Sequence, residues 1–409
     1  MAEIIRMTEK GGKKQMIFHR TEEEWKQEGG YWTAKEIFQQ PETWRKTLFQ
    51  IREERFGLQA FINTVKAQKD YDIVFAGAGT SEYIGNALAP ALRPYYSGHI
   101  RSCATTDIVS NPEYCLFRDR PTLLVSFGRS GNSPESIGAI RAADTVCTNI
   151  RHLLITCNPK GALSRYAEGK DNCYALNLTP ETHDMAFAMT SSFSNMYLAG
   201  LLVFRLDALE EMENQTEEVI RAAAEFLEKG WESIRKLTDD FDFSRIIYLG
   251  SGALKGFAQE SALKICELTQ GRVDTIFNSP LGFRHGPKSV INDHSLCVVF
   301  LSPDNYARQY EYDLIREMSA ERKNNRILII GCTEDPVSSY ADAYLSLDCR
   351  TELTDSFAGM AFIPAAQVTA LLKSLSFGIT PDNPCPSGEV NRVVKGVTLY
   401  PYTLQGENI

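Results

Sequence analysis

The stretch Gly128-Arg129-Ser130-Gly131-Asn132-Ser133-Pro134 has the residue types of an anion cradle. The apolar run 121–126 before it reads as a buried strand, and Ile137 and Ile140 after it have helical spacing. A strand–loop–helix turn of this kind offers free backbone N–H groups and the positive end of a helix dipole. Ser130 and Ser133 add neutral donors for phosphate oxygens, and Pro134 suits a first helical turn that needs no N–H. The same residues also serve an ordinary turn with Ser133 as N-cap. No lysine follows in Walker A spacing, which argues against a nucleotide P-loop. Thr80 and Ser81 open another helix after Gly77-Ala78-Gly79. Two hydroxyl-bearing helix starts are therefore available to one dianion. Farther on, Lys264 and Glu267 share one helical face, and His285 lies in the loop Gly282-Phe283-Arg284-His285-Gly286-Pro287. Taken alone, that pair is a helix ion pair worth about 0.2–0.5 kcal/mol, and the histidine a loop residue bonded to backbone.

These groups need elements to hold them. The sequence supplies alternating strands and helices: 72–76 is a strand leading into Gly77-Ala78-Gly79 and a helix from 83 to about 90, and 152–157 and 171–178 are further strands. Repeated βα units predict a parallel, doubly wound sheet with ligands beyond the carboxyl ends of its strands. The run Thr190-Ser191-Ser192-Phe193-Ser194-Asn195 opens a long apolar helix, 196–206, and 210–238 is polar and helical. The pattern then recurs. Residues 245–252 echo 72–79, 326–332 echo 152–157, and 296–301 stand where the strand before the serine loop stood. In that second copy Ser302-Pro303-Asp304-Asn305 replaces the serine–glycine loop, so one anion site per chain is expected. The fold class is α/β: two doubly wound parallel-sheet (flavodoxin-like) domains with an N-terminal helical arm. The expected boundaries are 1–45 for the arm, 46–212 for the first domain, 213–240 for a helical connector, and 241–409 for the second domain with a C-terminal tail.

The chain has 409 residues, a formal net charge of −9 and 43% hydrophobic residues, ordinary for a soluble globular protein. The negative balance argues against nucleic acid as a partner. No segment approaches a membrane span, and the N-terminus lacks a signal-peptide core, so a cytoplasmic protein with no membrane partner is expected. Ten cysteines without a C-x-x-C pair read as reduced thiols, and no His/Cys cluster has zinc spacing, so neither a metal nor an organic cofactor is expected. In the arm, 21–25 has the look of a capped helix start and 41–69 of a longer helix. Trp25, Tyr31, Trp32 and Trp44 are expected to dock the arm on a core or on another chain.

Gly77-Ala78-Gly79-Thr80-Ser81, Arg129-Ser130-Gly131-Asn132-Ser133, Ala262-Leu263-Lys264-Ile265-Cys266-Glu267 and Arg284-His285-Gly286-Pro287 together resemble the sugar isomerase (SIS) family. The pairing of two such domains is similar to the isomerase half of glucosamine-6-phosphate synthase. The sequence looks most like the AgaS-type galactosamine-6-phosphate deaminase/isomerase branch, also called tagatose-6-phosphate ketose/aldose isomerase. The resemblance runs from about residue 45 to the end. It departs from the synthase in lacking an N-terminal catalytic cysteine and an amidotransferase domain, so glutamine is not expected as a nitrogen donor. It also departs in the loop, where Gly128 stands in place of a serine and leaves its N–H as the contact.

What the resemblance implies is a set of roles. Thr80, Ser81, Ser130, Ser133 and the Gly128 backbone line a sugar phosphate, and Thr190 belongs to a hydroxyl-bearing helix start beside them. Arg129 faces either phosphate or solvent. Glu267, beside Lys264, moves a proton from C2 to C1. His285 assists ring opening and reaches the site from a neighbouring subunit, which implies a homodimer or larger homo-oligomer. Lys395, in the tail Asn391-Arg392-Val393-Val394-Lys395-Gly396, lies near the open-chain carbonyl. His183, next to Asp184, is the other histidine to watch. The implied reaction is D-galactosamine 6-phosphate to D-tagatose 6-phosphate and ammonia. Alternatives are plain aldose–ketose isomerisation of a hexose 6-phosphate, breakdown of sugar–amine conjugates, or a non-catalytic phosphosugar sensor.

Overall fold

The computed structural model of the chain describes residues 16–394 and 396–404. The arm folds as α1 (Glu22–Gln27), α2 (Tyr31–Phe38) and the long α3 (Gln40–Lys66). Thr21 caps α1 with a reciprocal Glu24 capping box. Trp25 and Trp44 are fully buried, and their indole N–H groups donate to Ile17 O and Ser194 Oγ, both at 2.8 Å. Trp25 and Trp44 thus dock the arm onto this chain's own core with Tyr31 packed against it, while Trp32 is exposed. Helix α3 crosses position 45 without a break and packs along α9 and α10, defined below.

The first sheet is built from β1 (Asp72–Gly77), β2 (His99–Ala104), β3 (Thr122–Gly128), β4 (Ile150–Thr156) and β5 (Cys173–Asn177). Between them run α4 (Thr80–Leu92), α5 (Thr105–Ser110), α6 (Pro112–Cys115), α7 (Pro134–Val146) and α8 (Ala162–Tyr166). The strands are parallel in the order β2-β1-β3-β4-β5, with Phe75 opposite Val125 in the central pair. Every residue of β1 and β3 is buried, as a parallel sheet covered on both faces requires. Then come α9 (Ser191–Val203), α10 (Leu209–Glu225), a π-helical turn at Phe226–Gly230, and α11 (Trp231–Asp240). The single polar helix expected over 210–238 is therefore two helices joined by a π turn, and Trp231 is buried.

The second sheet contains β6 (Arg245–Leu249), β7 (Asp274–Asn278), β8 (Ser295–Phe300), β9 (Arg326–Gly331) and β10 (Ala343–Ser346). Its helices are α12 (Leu254–Leu268), α13 (Pro280–Phe283), α14 (Asn305–Ala320) and α15 (Asp355–Ser376). Read from β7, the order is β7-β6-β8-β9-β10, the same as in the first sheet. The duplication inferred from sequence is thus a duplication of topology. By length and composition α15 could cross a bilayer, contrary to the expectation that no segment approaches a span. However, 89% of its apolar window is buried inside the molecule, where it serves as a core helix against α12 and α10.

The contact that matters for the site is α4 of the first domain against α12 of the second. Gly256 makes it possible. A Cβ there would meet Ala87 N at 2.6 Å, so only glycine lets the two backbones come this close.

Candidate active site

In an open parallel sheet the ligand crevice lies where neighbouring strands send their connections to opposite sides. In the first sheet that point is between β1 and β3. The loop after β3 carries the serines. Gly131 holds φ +62° within it, a left-handed conformation that a side chain disfavours. Ser133 caps α7 by accepting from Ser136 N at 3.4 Å, and its Oγ lies 2.6 Å from Ser136 Oγ. Ser130 Oγ accepts from Asn132 N at 3.2 Å, and Asn158 Nδ2 steadies Ser130 O at 2.9 Å. Ser130 and Ser133 are half-buried, while Gly128 is buried at the end of β3. Capping and anion binding are compatible here, because accepting a backbone N–H leaves the Ser130 hydroxyl proton free to donate.

Across the crevice, Glu260, Lys264 and Glu267 form one stripe on α12. Lys264 Nζ is fully buried and donates to Thr80 Oγ1 at 2.9 Å and to Glu267 Oε2 at 2.6 Å. Glu260 Oε1 lies 3.3 Å from the same nitrogen. Burial opposes the Lys264 charge, but the two carboxylates outweigh it and hold the pKa above the ordinary lysine value. Burial pushes the Glu260 carboxyl up to about 8 against the pull of Lys264. Glu260 is inaccessible, whereas the Glu267 side chain keeps 25% of its surface exposed. Glu267 is the member of the stripe that a ligand can reach. Thr80 ties the start of α4 to this stripe, and Ser81 Oγ lies 4.0 Å from Met189 Sδ.

Arg129 does not face solvent. It is 6% exposed and donates to Ala186 O (3.1 Å), Phe187 O (3.1 Å) and Arg392 O (2.9 Å). Burial, then the Arg392 cation, lowers its pKa. Arg392 in turn donates to Asp184 O, so the C-terminal tail is bound to the loop before α9. Asp184 organises that loop, accepting from Thr190 N and Ser192 N at 2.8 Å and from Ser191 Oγ and Ser192 Oγ at 2.5 Å. Glu36 of α2 accepts from Met185 N and from Ala186 N. Burial and the nearby Asp184 push its carboxyl up to about 9. Thr190 lies at the start of α9 as expected, but it is fully buried and its hydroxyl has no hydrogen-bond partner among the described residues. His183 is half-buried, and burial with the Arg392 and Arg129 cations lowers its pKa.

The geometry thus joins Thr80, Lys264 and Glu267 by direct bonds. His285 stands apart, exposed in the turn after α13, and its N–H donates to Gly282 O at 3.1 Å. No hydrogen bond or ion pair among the described residues links it to the stripe. Lys395 lies outside the described residues. Sequence reasoning missed Glu260, although its spacing of four from Lys264 was a readable signal. It also missed Asp184, Glu36 and Arg392, whose partners are remote in sequence.

A family model for the SIS domain matches residues 67–206 and 241–372. The D-galactosamine-6-phosphate deaminase AgaS of Shewanella sp. (strain ANA-3) is 42% identical over 379 residues, 92% of this chain and 93% of that protein. The crystal structure of a Clostridium novyi NT protein assigned as a tagatose-6-phosphate ketose/aldose isomerase superposes with a TM-score of 0.93. It shares 42% identity and covers 95% of this chain and 100% of its own. The tagatose-6-phosphate ketose/aldose isomerase of Escherichia coli superposes with a TM-score of 0.85 at 37% identity, covering 92% and 98%. With two matching domains, a shared fold and relatives at this identity over nearly the whole chain, this protein belongs to the SIS-domain family, in its AgaS branch.

Proposed function

We propose that the chain converts D-galactosamine 6-phosphate to D-tagatose 6-phosphate and ammonia. The observation that carries this reading is the Thr80–Lys264–Glu267 contact at the switch point, set in a chain 42% identical to a galactosamine-6-phosphate deaminase. The phosphate ester is held by the helix starts at Thr80-Ser81 and Ser130–Ser133, with the Gly128 N–H. Lys264 supplies fixed positive charge behind Thr80. Glu267 removes the C2 proton of the open-chain amino aldose and returns a proton to C1. The nitrogen remains on C2 as an imine, which water attacks to give the ketose and ammonia. His285 moves the proton that opens the pyranose ring. Its exposed loop is suited to serve the site of a second copy of the chain. Lys395 acts near the open-chain carbonyl.

The assay is a coupled ammonia measurement beside product NMR. Ammonia and ketose 6-phosphate are expected in equal amounts, with slower or no turnover of the N-acetylated sugar, whose nitrogen does not readily form the cationic imine. No ammonia from any amino sugar phosphate, with ketose 6-phosphate formed instead from a neutral hexose 6-phosphate, would replace this reading with plain aldose–ketose isomerisation, the activity named for the Escherichia coli structure.

A further inference from the structure

The second sheet has its own switch point, between β6 and β8, and a cleft of about 640 Å³ opens there. Its floor is the Gly252-Ala253 turn, Pro303-Asp304 and the start of α15 at Asp355. Its far wall comes from the first domain, at Tyr95, the end of α9 and the start of α10. This is the topological counterpart of the crevice that holds the serine loop, but its chemistry is inverted. Pro303 has no N–H to give. Asp304 accepts from Tyr306 N and Ala307 N, both at 2.9 Å, so the start of α14 is already filled by the chain's own carboxylate. Glu311 takes Ser302 N at 2.8 Å and Ser251 Oγ at 2.7 Å. The donors that would hold a phosphate are spent.

What remains free is of another kind. Asp355 uses Oδ1 to accept from Ser302 Oγ at 2.6 Å, and its other oxygen is turned toward Gly252 at the floor. Glu352, on the rim, makes no hydrogen bond or ion pair among the described residues; Glu211, on the opposite wall, accepts from Gln215 Nε2 at 3.5 Å. Arg205 is the independent observation. It is only 7% exposed, it lines the cleft, and its buried Nε has no hydrogen-bond partner among the described residues. The nearest carboxylates stand at 3.8 Å (Glu211) and 4.0 Å (Asp207), beyond good hydrogen-bond range, and its guanidinium stacks on the Tyr95 ring at 3.6 Å. A buried guanidinium with an unpartnered Nε–H calls for an acceptor from a ligand.

A ligand for this cleft must offer acceptors to Arg205 and donors to Asp355 and Glu352. It must also tolerate more negative than positive charge. Vicinal hydroxyls meet the first two needs, being donor and acceptor at once, and an ammonium group meets the third. A phosphate dianion fails it. We propose that the second switch-point cleft is a binding site for an unphosphorylated amino sugar, a hexosamine with a free amine.

The test is calorimetric titration of the full chain with galactosamine, galactose and inorganic phosphate. Saturable galactosamine binding is expected, with galactose weaker and no competition from phosphate. Asp355→Asn and Glu352→Gln should each weaken galactosamine by about tenfold, the scale of one charge-assisted hydrogen bond, while Ser130→Ala in the first domain should leave it unchanged. If Asp355→Asn does not fold, the exposed Glu352→Gln decides. Absence of saturation, displacement by phosphate, loss in Ser130→Ala, or undiminished binding in Glu352→Gln would overturn the proposal.

Discussion

At the scale of single residues, burial sorts three similar side chains into different tasks. Glu260, Lys264 and Glu267 occupy one helical stripe, yet Glu267 alone reaches solvent. A carboxylate that is open to ligand and bonded to a lysine whose pKa is held above its ordinary value is equipped to shuttle a proton, whereas Glu260 is out of a ligand's reach and burial pushes its carboxyl up to about 8. Glu267→Gln is expected to retain sugar-phosphate binding and to lose about two to four orders of magnitude in turnover. Solvent-deuterium exchange at C2 should disappear with it, and exchange at the wild-type rate would remove Glu267 from the role. Glu36 permits a test by pH. An exposed glutamate titrates near 4.5, and Glu36 is pushed up to about 9. Between those values the unfolded chain gives up the proton while the folded chain keeps it. The unfolded state then binds fewer protons, and stability falls as pH rises through the window. Glu260 adds the same slope up to about 8. Glu36→Gln keeps an acceptor for Met185 N and Ala186 N without the ionisation, so its melting temperature should decline less steeply across that window than wild type. Parallel declines would show that Glu36 is not the titrating group.

At the scale of elements, two contacts between distant segments fix the site. One is the glycine-mediated approach of α4 and α12, which puts Lys264 within a hydrogen bond of Thr80. The other is the cap on α2. Gly30 precedes that helix and has no side chain to cap it. Asp382 does so from the C-terminal segment, accepting from Trp32 N (3.0 Å), Thr33 N (2.7 Å) and Thr33 Oγ1 (2.8 Å). Through α2 and Glu36 this joins the loop at Asp184, and through Arg392 the tail rejoins the same loop. Asp382→Ala should therefore cost about 1 kcal/mol of stability, the usual value of an N-cap. It should also expose the segment after α15 to protease before the rest of the chain. Chemical denaturation and timed proteolysis read the two effects separately, and unchanged cleavage of that segment would mean that the tail is held without Asp382.

At the scale of the whole molecule, no hydrogen bond or ion pair among the described residues joins an imidazole to the Glu267 stripe. His285 is exposed on the second domain, without such a bond to the stripe among the described residues. Under the proposed function it acts on a second copy. Mixing inactive Glu267→Gln with inactive His285→Ala chains is expected to restore part of the activity, since a hybrid dimer contains one site with both residues. Subunit exchange without recovered activity would place the whole site in one chain.

The sequence by itself determined the α/β class, the two-fold repeat, the serine loop and the Lys264–Glu267 pair. All of these rest on local signals. Buried parallel strands are apolar runs, helix starts carry small hydroxyl residues, and helix faces repeat at three and four residues. It did not reveal β2, whose residues His99, Arg101 and Ser102 suit an edge position and give no apolar run, nor the short β7 and β10. It left Arg129 open between phosphate and solvent, and tertiary structure buries it against three carbonyls from two remote segments. The same holds for the depth of Thr190, the cap that Asp382 provides, the raised pKa values of Glu36 and Glu260, and the cleft with Arg205. Each depends on which distant segments meet and on how much water they exclude. Desolvation and long-range hydrogen bonding are properties of the packed chain, and no local pattern of residue types encodes them.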